Sequence, residues 1–168
     1  NPNFQIFVFT RRLDTPSPRS ERQMKSDSTT EERIRNLHAL IVGKNKHYSE
    51  SLKKVLEGKG FTASICLVFN EAMDKVAAFD PQLVFIEENL DEGSGIDLIR
   101  RVKTFNPDLK SILITDRPNL ESSVEAFRQG ASDYLHQPIA EEDLLLSIDR
   151  CLSPHRIEGE MGKALGEL

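Results

Sequence analysis

Between Asn36 and Ser153 the chain repeats one texture five times: a short apolar run, then a longer stretch whose apolar residues recur at helical spacing. That alternation constrains the fold more than any other feature. Short runs that are apolar at successive positions suit strands buried on both faces, and strands separated by helices build parallel βαβ units. The strand runs are Leu37–Val42, Thr62–Val68, Gln82–Glu87, Ser111–Thr115 and Ser132–His136. The helical stripes begin with Tyr48, Leu52, Val55 and Leu56, then Met73, Val76 and Ala77, then Leu98, Ile99 and Val102. Leu120, Val124 and Phe127 make the fourth, and Leu144, Leu145, Ile148 and Leu152 the fifth. Each stripe is expected to face the sheet. Gly58, Gly60 and Gly130 suit left-handed helix stops, and Asn119 suits the cap of the fourth helix.

The flanks differ. Residues 1–35 carry three prolines, a Ser-rich run from Ser17 to Thr30 and seven basic residues against five acids, the composition of an extension or linker. Within it only Phe4-Gln5-Ile6-Phe7-Val8-Phe9 is strand-like. The expected division is an extension over 1–35, one α/β domain over 36–153 and a tail over 154–168. A start at Asn1, without a leader's basic region and cleavage pattern, reads as a fragment rather than a secretory precursor. A length of 168 residues with 29% charged residues and 38% hydrophobic ones excludes collagen, coiled coil and full disorder. No apolar run approaches the roughly 20 residues of a membrane helix. Cys66 and Cys151 match no metal or redox spacing and fit a reducing cytoplasm. The four histidines share no ligand spacing, and Gly93-Ser94-Gly95 lacks the spacing of a phosphate loop. The domain holds 13 basic against 19 acidic residues, which argues against direct nucleic-acid binding, and Arg11-Arg12 with Arg19, Arg22 and Lys25 reads as solvated linker.

A parallel sheet of this kind does its chemistry at the carboxyl ends of its strands. Those ends carry Gly43, Lys44 and Asn45, then Glu87, Glu88 and Asn89, then Thr115 and Asp116, then Gln137 and Pro138.

In these segments the sequence, over about Leu37 to Leu152, resembles the receiver domain of two-component response regulators. Ile41-Val42-Gly43-Lys44-Asn45 stands where the family has a strand ending in two aspartates, and Leu83-Val84-Phe85-Ile86-Glu87 where a strand delivers the phosphoacceptor aspartate. Gly95 matches a loop glycine, Ile112-Leu113-Ile114-Thr115 the fourth strand with its hydroxyl, and Gly130-Ala131-Ser132-Asp133-Tyr134-Leu135-His136-Gln137-Pro138 the block around the fifth. The resemblance implies a flavodoxin-like (βα)5 sandwich, its five parallel strands in the order 2-1-3-4-5. It also implies phosphoryl transfer to an aspartate, aided by Mg²⁺ on carboxylates and by a lysine that counters the new charge.

Against that pattern this chain is degenerate. Gly43 and Lys44 replace the acidic pair, Glu87 the acceptor and Gln137 the lysine, and Gly43, Lys44 and Asn89 make up the equivalent of the metal site. Thr115 remains, and Thr115 and Tyr134 occupy the two switch positions of the family. An ammonium at Lys44 repels a divalent cation, so no metal and no cofactor is expected. Two readings of Glu87 stand side by side. Its extra methylene could carry the carboxylate towards the place of a phosphoryl oxygen and mimic the phosphorylated state, or it could be a strand-end acid paired with Lys44. A hydrogen bond from Glu87 or Lys44 to Thr115 would fix the switch. Gln137-Pro138 could serve only as a turn, since the family's bond before this proline is often cis.

The expected function is a pseudo-receiver without catalytic turnover, contacting a protein partner through the last two helices and the strand between them. Self-association through the same face follows from the resemblance. Two rivals remain: residual Mg²⁺-dependent phosphoacceptor activity using Glu87, Glu88 or Asp91, and service as the regulatory module of an output domain.

Overall fold

The computed structural model describes residues 37–153. The strand-like Phe4–Phe9 run and the tail from residue 154 onward lie outside them. Five strands and five helices alternate: β1 (His38–Val42), α1 (Lys46–Gly58), β2 (Thr62–Cys66), α2 (Ala72–Phe79), β3 (Leu83–Glu87), α3 (Gly95–Phe105), β4 (Lys110–Thr115), α4 (Leu120–Arg128), β5 (Asp133–His136) and α5 (Glu141–Leu152). The strands form one sheet in the order β2-β1-β3-β4-β5, every pair parallel, as expected.

The apolar runs explain this arrangement. Successive side chains of a strand point to opposite faces, so a run such as Leu83-Val84-Phe85-Ile86 must be covered on both. Leu83 and Phe85 join Ala39 and Ile41 in a core layer closed by Leu52 and Leu56 of α1 and by Leu144 and Ile148 of α5. Val84 and Ile86 join Leu40 and Val42 in the opposite layer, closed by Val76 of α2, Leu98, Ile99 and Val102 of α3 and Ala126 of α4. All five residues of β3 are buried, so Glu87 stands at the end of a strand packed on both faces.

Helix ends follow local chemistry. Asn45 caps α1 by accepting from the Tyr48 amide, Ser94 caps α3 by accepting from that of Ile96, and Asn119 caps α4 by accepting from that of Ser122. Gly60 and Gly130 take left-handed φ of 102° and 108°, which a side chain would strain. Gly58 is the last residue of α1, so only one glycine of that pair makes the stop. Asp80 closes α2 at φ 46°, a role the sequence did not signal.

Three expectations are corrected. β2 ends at Cys66 rather than Val68, because its partner β1 ends at Val42, opposite Cys66. Beyond it Leu67 and Val68 are 39% and 41% exposed and lead into a 3-10 turn over Phe69–Glu71. In α2, Ala77 faces out and Ala72 takes the buried place. The largest departure is α4, whose Leu120, Val124 and Phe127 are 80%, 40% and 50% exposed while Ala126 is fully buried. The helix turns its small residues to the core and leaves its large apolar ones outside. A two-residue antiparallel ladder, Asn89–Leu90 with Gly93–Ser94, also interrupts the β3-α3 connection.

Candidate functional site

The carboxyl ends of β1, β3, β4 and β5 enclose a cleft of about 80 Å³. It is lined by Lys44, Glu87, Asn89, Thr115 and Gln137, together with Asn45, Glu88 and Asp116. Five of the seven singled-out residues therefore meet there. Gly43 lies against the Glu87 carboxylate, as part of the same site. Tyr134 lies apart, on β5 against α4.

Glu87 dominates the geometry. It is only 8% exposed, and its Oε2 accepts from the backbone amide of Lys44 at 3.4 Å. Its Oε1 is buried without a hydrogen-bond partner. The reason for this placement is Gly43: a Cβ there would collide with Glu87 Oε1 and approach Ser49 Oγ at 2.9 Å. The carboxylate thus fills the space that any larger residue at position 43 would occupy. The carboxylate lies between Gly43 and the cleft, with Oε1 towards the glycine. Of the two readings of Glu87, the one that pairs it with Lys44 is met only through the backbone: the carboxylate accepts from the Lys44 amide, and no ion pair with the Lys44 ammonium forms among the described residues.

Burial pushes the Glu87 pKa up, since an ionised carboxylate loses its hydration there. The Lys44 and Asn45 backbone amides and the Lys44 charge pull it down, and Asp116 pushes it up again. Tyr48, in the first turn of α1, is raised to about 12 by its own burial and then by the Glu87 charge.

Thr115 is buried, and its hydroxyl accepts from the Arg117 amide at 3.1 Å instead of bonding Glu87 or Lys44. The Tyr134 hydroxyl meets Ser122 Oγ at 2.8 Å and accepts from the Asn119 amide at 3.3 Å. The Gln137-Pro138 bond is cis. Gly95 is required by close approach, since a Cβ there would collide with the Glu87 carbonyl.

The donor set does not fit a divalent cation. Mg²⁺ needs several hard oxygen ligands. Gly43 and Lys44, at the end of β1, offer no side-chain oxygen, and the buried Glu87 carboxylate lies against Gly43. Among the described residues, no group of three or more His, Cys, Asp or Glu could hold a metal.

Sequence reasoning missed Ser49 and Ser122. Ser49 is fully buried, and its Oγ has no partner. The signal was available, since Ser49, Leu52 and Leu56 fall at i, i+3 and i+7, which places a hydroxyl in the apolar stripe. Ser122 carried no comparable signal, because nothing local indicates that it faces Tyr134.

Residues 39–149 match the family described as the response regulator receiver domain. Among curated relatives, the transcriptional regulatory protein ZraR of Klebsiella oxytoca is 28% identical over 118 residues, covering 70% of this chain and 27% of its own length. The acid tolerance regulatory protein ActR of Rhizobium meliloti (strain 1021) is 29% identical over 109 residues, covering 65% of this chain and 56% of its own. The chain thus spans between about a quarter and just over half the length of these relatives. Among solved structures, the CheY-like receiver domain protein from Methanospirillum hungatei JF-1 superimposes with a TM-score of 0.68 at 27% identity, covering 73% of this chain and 98% of that one. The beryllofluoride-activated NtrC4 receiver domain dimer gives 0.65 at 25% identity, covering 68% and 94%. Both the sheet order and a family match over most of the chain lead to one conclusion: this chain belongs to the response regulator receiver domain family.

Proposed function

We propose that this receiver domain signals by protein interaction without accepting a phosphoryl group at Glu87, its acid pocket being filled by its own side chain. The observation that carries the reading is the buried Glu87 carboxylate, lodged in the space that Gly43 leaves open. Phosphoryl transfer needs an exposed oxygen nucleophile and cations to neutralise the transferring charge. Here the carboxylate is enclosed, and Gln137 supplies no charge. Switching at Thr115 and Tyr134, if retained, responds to another input.

Partner contact falls to α4, β5 and α5. Leu120, Phe127 and Leu146, on α4 and α5, are 80%, 50% and 60% exposed there, and exposed apolar side chains of this size are what a protein partner would cover. The occupant is a protein partner or a second copy of the chain, the latter by analogy with the NtrC4 receiver dimer. Because the relatives are regulators longer than this chain, the domain serves as the regulatory part of a transcription-control protein.

The test is intact mass after treatment with a small phosphodonor and Mg²⁺. The protein is expected to stay unmodified. The variant Gly43→Asp, Lys44→Asp, Glu87→Asp, Gln137→Lys is expected to gain one phosphoryl group. Modification of the parent would overturn the reading and favour residual chemistry, for which Glu88 and Asp116, also lining the cleft, supply further carboxylates. Leu120→Ser with Phe127→Ser is expected to abolish partner binding or self-association while leaving the fold intact.

A further inference from the structure

The sheet ends in an edge at β2, and the ladder fixes which of its backbone groups face outward. The Thr62 amide donates to the Leu37 carbonyl at 2.9 Å, and the Cys66 carbonyl accepts from the Gly43 amide at 3.0 Å. Alternate residues of a parallel strand turn both N–H and C=O to the same neighbour, so Thr62, Ser64 and Cys66 face β1 while Ala63 and Ile65 face away from the sheet. One outward group is engaged, the Ile65 carbonyl, to which Lys75 Nζ of α2 donates at 3.3 Å. Among the described residues no acceptor meets the Ala63 and Ile65 amides. The strand is also thinly covered: Thr62 is exposed and Ser64 and Ile65 are half-buried, where β3 is buried throughout, and Leu67 and Val68 beyond it are exposed. Such an edge is a template for one more strand.

The chain itself supplies a segment of matching chemistry. Residues 1–36 lie outside the described part, and they join it at Leu37, which is bonded to the first residue of β2. Within them, Phe4-Gln5-Ile6-Phe7-Val8-Phe9 is uncharged, apolar but for Gln5 and without proline, so every residue keeps its N–H for a ladder. Its six residues equal Ala63–Val68 in number. The 27 residues from 10 to 36 reach at most about 90 Å. Two strand spacings and the length of β2 amount to roughly 10–20 Å, so the reach suffices for either direction of the added strand. The opposite edge, β5, lies three strands away from β1, where the segment joins.

We propose that Phe4–Phe9 docks on β2 as a sixth strand of the sheet, its backbone meeting the outward N–H and C=O groups of Ala63 and Ile65. Side chains of the added strand alternate between the two faces, beside Ser64 on one and Ile65 on the other, and the Lys75 ammonium yields the Ile65 carbonyl and turns to solvent. Tethering makes the pairing intramolecular, so the chain's own segment outcompetes a strand offered by another molecule. The edge is thereby closed to pairing between chains. This surface is separate from the Glu87 pocket and from the proposed partner face, and neither reading is needed for it.

Amide hydrogen exchange by NMR tests this on the whole chain and on the double variant Ile6→Pro, Phe7→Pro. Neighbouring prolines remove a donor whichever of the two residues faces β2, and both lie outside the α/β domain, so its folding is not at stake. Exchange at Ala63 and Ile65 is expected to be roughly 2- to 10-fold faster in the variant, the factor a net hydrogen bond is worth. Ser64 and Cys66, bonded to β1, should keep their parental rates. Backbone protons of Phe4–Phe9 should show cross-strand contacts to Ala63 or Ile65 in the parent and lose them in the variant. Equal rates at Ala63 and Ile65 in the two proteins would overturn the docking. Faster exchange at Ser64 and Cys66 as well would replace edge pairing by a general loosening of the sheet. Contacts from Phe4–Phe9 to β5 would move the segment to the wrong edge for this proposal. Protection at Ala63 and Ile65 that falls on dilution, with a dimer in sedimentation velocity, would give the edge to a second copy and overturn it too.

Discussion

At the scale of single residues, the pocket is governed by a size exchange. Glycine at 43 and glutamate at 87 share a volume that neither aspartate-sized pair would share in this way. Gly43→Ala is therefore expected to cost about 1–3 kcal/mol in chemical denaturation, the usual range for overpacking. Adding Glu87→Ala should recover part of that loss, giving a coupling that a double-mutant cycle measures. The carboxyl also sets a pH dependence. Burial raises its folded pKa above the unfolded value. Glu87 therefore penalises the fold when ionised: the stability it contributes is fully present below the unfolded carboxylate pKa and is lost as pH rises through the folded one. Denaturation of the parent beside Glu87→Gln between pH 4 and 8 should find the parent losing ground as pH rises. A gap that widens towards acid would contradict the burial argument. Why Glu87 and Ser49 lodge together was only half legible. The strand end announced Glu87, whereas the inward turn of its carboxylate depends on a three-dimensional vacancy beside Gly43 that no local pattern encodes.

Among the elements, α4 is the informative case. Its large apolar residues at 120, 124 and 127 fit a core stripe, yet Ala126 is the residue fully buried. Hydrophobic spacing identifies which residues share a face, but it does not say whether that face meets the sheet or a partner. The strands were more legible, because residues apolar on both faces have few other places to go, and only the end of β2 ran too far. Two substitutions separate the roles within α4. Asn119→Ala removes the cap and should cost about 1 kcal/mol. Phe127→Ser should shift stability by no more than about 0.5 kcal/mol, as exposed positions usually do, while lowering partner binding or self-association. Sedimentation velocity and denaturation midpoints on the same samples distinguish them. A large loss of stability in Phe127→Ser would mean that the ring supports the helix rather than a partner.

For the molecule as a whole, two core layers meet on a sheet whose central strand is buried along its full length. Phe85 is fully buried at its centre, and Phe85→Ala is expected to cost about 3–5 kcal/mol, a large fraction of the stability of a domain this size. The two thiols report the same integrity. Cys66 and Cys151 are both buried, and burial, reinforced by the Asp133 charge, raises Cys151 to about 11. Both should resist a thiol-modifying reagent at neutral pH until the chain unfolds, so mass spectrometry of native protein should find neither labelled. Rapid labelling of Cys151 would indicate that α5 opens from the sheet.

The shared volume at Gly43 and Glu87 also ties the two positions to each other. An aspartate placed at position 43 alone would drive its Cβ into the glutamate, whereas shortening position 87 alone would leave a polar hollow lined by Ser49. Either change made singly is expected to lose stability, so the two positions, far apart in the chain, behave as one unit of substitution.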